Sequence, residues 1–505
     1  MSRDNQWHPL GQMNETRIDF NVTERIVSDI YGSRYQFLRD AALQRILEVN
    51  DYYRFYNLEG QYWTMPHSLG YKPTIMPVNL ARWFVKKRTG WMFEVAPDIE
   101  CPAPQMDATD AMATTGYTPS PAQLAANQAA SDREQTLYGA WTDNRFEEKL
   151  LEAGRDYFVG GTVALKLRYL PGVGVRLNFC PTQEVFPVPN MDDPDVFDAV
   201  HFCSFLDNDK TIWKQSWEMV DGRCLLTEGY YDLNLNPLKM KYGAEDTLLD
   251  FIPVLVFPRE CMTGDTYGTS YLKDLMPLFD QYSRVMSDAA DSLRFNLFAV
   301  TVLLNAAPDA QDQLKVSPGE VWNIGGDSVD VRKLESSFNY SKALDDFLTR
   351  LENLMHMLGE VPDITPDRIK GFGLVSGVAL KLLYSDLVSA TQQDWRVWKS
   401  RLVKANEYIL RMVETFELDG SASVGGNYAN RIIPHLPLPE NEAEKVSIEA
   451  QKMATSLQSV KGALQELGDK FPAKTIAEII TERERFMPAM GKQLTVKEQG
   501  TLSGA

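Results

Sequence analysis

The sequence is short of positive charge: 51 Lys and Arg stand against 69 Asp and Glu, a formal net charge of −18. A chain with that balance repels polyanions as a whole, which argues against nucleic-acid or anionic-membrane binding driven by bulk charge. Cysteine is scarce too. The five present (Cys101, Cys180, Cys203, Cys224, Cys261) are odd in number, widely spaced and without a C-x-x-C pair. They predict neither a disulfide framework nor a zinc site, and read as reduced, mostly buried thiols. No apolar run reaches the ~18 residues of a membrane span, and the opening "MSRDNQWHPLGQMNETRIDF" has no apolar core of a secretion signal. The expectation is a chain made in the cytoplasm, with no membrane partner.

Catalytic signatures are equally missing. There is no G-x-S-x-G elbow and no H-E-x-x-H, and the five histidines (His8, His67, His201, His356, His435) are dispersed. The acidic pairs Asp192-Asp193 and Asp345-Asp346 read as solvated faces. The stretch "KGFGLVSG" (370 to 377) is spaced G-x-G-x-x-x-G. A phosphate cradle needs a strand delivering convergent amides to a helix N-terminus, with Lys next to the final glycine in the Walker form. Here the preceding pattern, Lys342 to Glu360, is helical, and Lys381 lies a turn inside the next helix. The glycines therefore predict a mobile loop between two helices. "GDTYGTS" (264 to 270) reads as a turn capping a helix that begins near Tyr271. No catalytic, cofactor-binding or metal-ligating residue is assigned.

What is present is 505 residues, 44% of them hydrophobic, enough for two or more packed regions. Residues 22 to 60 have helical spacing. Cys101 to Ala130 is rich in Ala, Thr and Pro and lacks Val, Ile, Phe and Trp, so it reads as a mobile insertion. A helix is expected next, capped by Ser131 and running to about Phe158. From Thr162 to Phe257 short runs such as "TVALKLRY", "GVRLNF", "AVHFCSF", "CLLTEGYY" and "IPVLVF" alternate with turn residues and predict strands. Helical spacing returns over Leu278 to Ala299. The strand-like "VTVLLN" and "GEVWNI" follow, and then the helix at 342 to 360.

Val378 to Phe416 has neither Gly nor Pro over 39 residues and as one helix would extend roughly 58 Å. Its second half carries a 3-4 stripe: Trp395, Trp398, Leu402, Ala405, Ile409, Met412 and Phe416. Arg396, Lys399, Arg401 and Lys404 are interleaved with the two tryptophans, a pattern that suits phosphate and base contact. If the stripe packs the tryptophans, the same cations form a solvated or subunit-facing side. Beyond "IIPHLPLPENE" a further helical segment is marked by Val446, Met453, Leu457, Val460, Leu464 and Leu467, with a turn at Gly462.

In this order the elements resemble the portal proteins of tailed double-stranded DNA phages. The cues are "PVNLARWFVKKRTGWMFEVAP" (77 to 97), "GGTVALKLRYLPGVGVRLNFCPTQEVFPV" (160 to 188), "IPVLVFP" leading through "YGTSYLKDLMPLFDQYSRVMSD" (252 to 288), and "SGVALKLLYSDLV" (376 to 388). The resemblance implies an α+β portal fold. An α/β wing would span 1–267, with the flexible insertion 101–130 inside it, followed by a first stem helix at 268–299 and a small β-containing clip at 300–338. A second stem helix (339–362), a tunnel loop (363–375), a long wing helix and return (376–438), and a helical crown with C-terminal tail (439–505) would complete it.

The resemblance also implies a homo-oligomeric ring, a dodecamer, at one capsid vertex of the virion. Double-stranded DNA would pass through it during packaging and ejection. Its partners would be the terminase large subunit, major capsid and scaffolding proteins, and head-completion, adaptor or tail proteins. No catalysis and no cofactor are implied. On this resemblance Asp367, Arg368, Lys370, Gly371, Phe372 and Gly373 face the channel, while Asp309, Asp312 and Asp327 of the clip meet the motor and connector. The alternatives are another ring or shell protein of the virion, and a DNA-processing enzyme.

Overall fold

The structure, a computed structural model, describes residues 7–9, 17–32, 36–59, 73–103, 120–193, 196–206, 210–297, 300–304, 330–334, 341–363, 382–417, 424–437, 442–455, 457–467, 475–476 and 478–479. Helix and sheet are mixed, as an α+β chain requires. The first helices are α1 (Arg17–Tyr31), α2 (Gln36–Asn57) and α3 (Leu80–Phe93). Helix α3 begins at Asn79, whose side chain accepts a hydrogen bond from the Arg82 amide at 2.9 Å. That satisfies one of the amides a helix start leaves unpaired.

The 101–130 expectation is corrected. Helix α4 spans Pro121–Asp143, so the last ten residues of the supposed insertion are regular helix. Ser120, not Ser131, is the cap: its side chain accepts from the Gln123 amide, and Pro121 occupies the first turn. Proline fits there because that turn's amides lack helical partners. Ala126, Ala130, Arg133, Leu137 and Trp141 form the buried stripe. The absence of large apolar side chains was misleading because alanine is the strongest helix former and packs closely. The helix also stops earlier than expected. Left-handed Arg145 (φ 48°) separates it from α5 (Phe146–Gly160).

The strand runs are found where the sequence places them, with others between. β1 (Trp7–Pro9), β6 (Phe197–Leu206), β7 (Thr211–Val220), β8 (Arg223–Tyr231) and β9 (Pro237–Asp246) lie side by side in that order, and β5 (Val185–Pro189) also pairs with β6. A second sheet orders β10 (Val254–Pro258), β3 (Thr162–Leu170) and β4 (Gly174–Pro181). All these pairings are antiparallel. α1 and α2 cover one face of the larger sheet through Val22, Ile26, Val27, Tyr31, Ala42 and Ile46, against Phe186, Cys203 and Phe205. Cys101, Cys180, Cys203 and Cys224 are buried and outside any disulfide, and Cys261 is exposed.

Helix α6 (Met276–Leu297) leads into β11 (Val300–Leu304), which pairs antiparallel with β12 (Asp330–Leu334); α7 (Ser341–Leu358) follows. The strand expected at "GEVWNI" lies outside the described residues, and the strand that closes this hairpin is "DVRKL". An extended segment runs along α6. The amides of Val78 and Met76 donate to Ser283 and Ser287 Oγ at 3.2 and 3.0 Å, and that of Thr74 donates to both oxygens of Asp291. Alternate residues of an extended chain thus meet every fourth residue of the helix, which places three buried acceptors in one row.

The long helix is shorter than expected: α8 spans Ser385–Phe416, 32 residues, with a turn at Tyr384. Nothing in that stretch forbids helix by composition. The break follows from packing, because the Tyr384 ring stacks on Trp91. α8 packs its stripe against both the smaller sheet and α3. Trp398 is wholly buried among Phe93, Tyr157, Phe179 and Phe257, with ring centroids 4.5–5.9 Å away. β13 (Arg431–Ile433) returns to pair with β2 (Asp98–Glu100). The C-terminal helices α9 (Glu442–Ala454) and α10 (Val460–Glu466) are separated at 455–459 and not at Gly462, whose amide donates to the capping Ser459 Oγ. Val446, Leu457, Val460 and Leu467 of the predicted stripe are exposed in the single chain.

Candidate functional site at the root of residues 364–381

Asp367, Arg368, Lys370, Gly371, Phe372 and Gly373 lie outside the described residues, as do Asp309, Asp312 and Asp327. What is described is how the chain enters and leaves the 364–381 segment, and both roots touch α3. Phe84, Arg88 and Trp91 occupy positions i, i+4 and i+7 of that helix, so they share one face.

At the entering root, α7 ends in a tight reversal. The Gly359 amide donates to Met355 O at 2.8 Å, and the next residue, Glu360, is left-handed (φ 52°). Gly359 is required by close approach: a Cβ there would lie 2.8 Å from both Met355 O and a Phe84 ring carbon. The Tyr271 hydroxyl donates to Gly359 O at 2.5 Å, and His356 Nδ1 donates to Val361 O at 2.8 Å, which fixes its tautomer. The His356 ring also sits on Phe84 and Trp83.

Arg88 joins the two roots. Its side chain is 2% exposed and reaches Asp394 Oδ2 of α8 at 2.7 Å and Glu360 Oε2 at 3.3 Å. The guanidinium also lies 5.4 Å from the Phe158 ring centroid and 5.6 Å from that of Tyr271. The Tyr157 hydroxyl donates to the other Asp394 oxygen at 3.1 Å. Burial pushes the Tyr157 hydroxyl well above its ordinary range, with the Asp394 charge adding to it, so it stays a proton donor. Burial also raises the Glu360 carboxyl, against the pull of Arg88. A charge this deep is tolerated only when paired and hydrogen-bonded, and Arg88 and Asp394 meet that condition with each other.

At the leaving root, Tyr384 stacks on Trp91 with centroids 4.8 Å apart and planes 16° from parallel. Between the roots lies a cleft of about 610 Å³, lined among others by Trp83, Phe84, Trp91, Met355, His356 and Leu387. Among the described residues no cluster of His, Cys, Asp and Glu could hold a metal ion, and no helix is long and apolar enough to cross a membrane. The basic residues of α8 are placed individually. Arg396 and Lys399 are exposed, Arg401 is half-buried, and Lys404 pairs with Glu407 at 2.9 Å. Trp395 and Trp398 are buried, so neither offers a ring face beside those cations. Sequence reasoning missed Arg88, Glu360 and Asp394. Their only signal was a lone Arg and a lone Asp on otherwise apolar helix faces.

The family described as phage portal protein, SPP1 Gp6-like, matches residues 253–487. Over those residues the chain is similar to that family. The matched part contains α6, the β11–β12 hairpin, α7, the 364–381 segment with both its roots, and α8. The portal match thus includes Glu360 and Asp394, while Arg88 reaches them from the part of the chain before it.

Among solved structures, the neck of an empty gene transfer agent particle with sixfold symmetry is 14% identical, with 77% of this chain and 89% of that one covered, at a TM-score of 0.37. The neck of the native particle with twelvefold symmetry is also 14% identical, covering 64% and 79%, at 0.31. The virion of the native particle gives 14% identity, 76% and 99%, and 0.32. No curated protein matches the chain.

Proposed function

We propose that this protein is the subunit of a portal: a dodecameric ring at one capsid vertex through which double-stranded DNA is packaged and later ejected. The observation that carries the proposal is the portal-family match over 253–487, which takes in the helix–hairpin–helix unit and the long helix in one run. The exposed face of α7 supports side-by-side packing of subunits. Of its 18 residues Leu351 and Met355 are buried, while Phe347, Leu354, Met357 and Leu358 are 41–65% exposed. Apolar side chains repeated on one helix face need a partner surface.

In this proposal the hairpin at 300–338 is the clip, and Asp309, Asp312 and Asp327 meet the terminase large subunit and afterwards the head-completion or tail proteins. Capsid and scaffolding proteins surround the ring. Asp367, Arg368, Lys370, Gly371, Phe372 and Gly373 face the channel on a loop whose roots α3 holds. The protein carries no catalysis, and the motor's ATP hydrolysis belongs to a separate subunit. A net charge of −18 suits a conduit, because each phosphate held by Lys or Arg would add a salt-dependent contact that DNA must break to slide. The test is packaged DNA length per head beside ring yield for Gly371→Val with Gly373→Val. Intact rings with shortened or poorly retained DNA are expected. Rings that fail to form, yet package normally when they do, would make the loop structural and overturn its role.

A further inference from the structure

The two contacts of Arg88 are unequal. Its Asp394 partner is 7% exposed, lies 2.7 Å away and is also held by Tyr157, whereas its Glu360 partner is 41% exposed and lies at 3.3 Å. Glu360 moreover has a left-handed backbone (φ 52°), a conformation that disfavours every residue with a Cβ. Glycine would fit that conformation without strain. The side chain that makes Glu360 costly there is the one that reaches Arg88.

We propose that Glu360 is a releasable catch: the turn at 359–361 leaves α3 by giving up its contact with Arg88, while Arg88 stays on Asp394 and helix α8 does not move. The two roots would then differ in function, one fixed and one able to yield. On the fixed side stand the buried Arg88–Asp394 pair, the Tyr157 hydroxyl and the Trp91–Tyr384 stack. On the yielding side the turn is held from outside α7 by Glu360, by the Tyr271–Gly359 hydrogen bond, by the close approach of Gly359 to the Phe84 ring and by burial of Val361, and the backbone strain at Glu360 works against them. The catch is a property of the turn itself and does not depend on what residues 364–381 face.

Hydrogen exchange on the full-length protein tests this, with peptides covering 355–363 and 384–395 followed separately. Glu360→Gln keeps the strain and loses the ion pair, so it should speed exchange at 359–361 by roughly two- to fivefold and leave 384–395 unchanged. Glu360→Gly loses the pair and the strain together, so its turn should exchange more slowly than that of Glu360→Gln. Equal acceleration of both peptides would mean that the cluster opens as one block. No acceleration in Glu360→Gln would mean that the contact holds nothing. Either result overturns the catch.

Discussion

Asp394→Asn removes a charge and changes almost no volume, which makes it the sharpest probe of how the long helix is fastened to α3. In the native protein Arg88 is 2% exposed, with one Nη on Asp394, the other on half-exposed Glu360, and its Nε without a partner among the described residues. After the change the guanidinium remains buried with one carboxylate in place of two. Breaking a buried pair from one side costs about 3–5 kcal/mol, whereas replacing both partners by apolar groups of similar size is often near neutral. Arg88→Met should cost a similar amount, because it strands the Asp394 carboxylate with only the Tyr157 hydroxyl. The double variant Arg88→Met, Asp394→Asn should then fall short of the sum of the two single losses by about 2–3 kcal/mol. Urea unfolding followed by tryptophan emission reads this, with all variants in the same assembly state, because Trp395 and Trp398 lie on the same helix. Single-variant losses below about 1 kcal/mol, or strict additivity, would refute the pairing.

Gly268→Ala should reduce the yield of folded protein severely, with a cost above about 3 kcal/mol. A Cβ there would lie 2.2 Å from Arg259 N and O, backbone atoms that cannot rotate away, and a wild-type melting curve would contradict this packing. His201 should make stability fall with acid. Burial, with Lys214 adding, holds its folded value at about 4 against an ordinary 6.5, opposed weakly by Asp29. The unfolded chain therefore takes up the proton first, and the contribution present above pH 6.5 is lost as pH falls toward 4, at most about 3 kcal/mol. His201→Asn should flatten the stability profile across that window, and an unchanged slope would count against the assignment. Leu354→Asp and Met357→Asp, on the exposed face of α7, should leave stability of the single subunit within about 0.5 kcal/mol and lower ring yield; rings at full yield would refute that face as an interface.

Much of this fold was legible from periodicity. The strands at 162–170, 174–181 and 223–231 and the helices at 276–297 and 341–358 lie within a few residues of their expected limits, because one buried face leaves a clear pattern in each. The same stripe argument assigned Trp395 and Trp398 to the core, where both are buried. It failed at α4, whose stripe is built on alanines, and at Tyr384, where a contact with Trp91, distant in sequence, ends a helix that composition would continue. The site was less legible than the fold. Arg88, Glu360 and Asp394 are 272 and 306 residues apart along the chain from Arg88, so only folding shows that they form one cluster. The left-handed backbone of Glu360 leaves no mark in a sequence where glycine, its usual carrier, stands one position earlier.

Whether the protein forms a channel-bearing ring is decided most directly by measuring the mass of the purified assembly in solution and imaging the same particles. The portal assignment predicts a mass near twelve times the 57.2 kDa subunit and end-on views with an open centre. A monodisperse single subunit at micromolar concentration, with no ring inside heads either, or a closed shell without a channel, would contradict it.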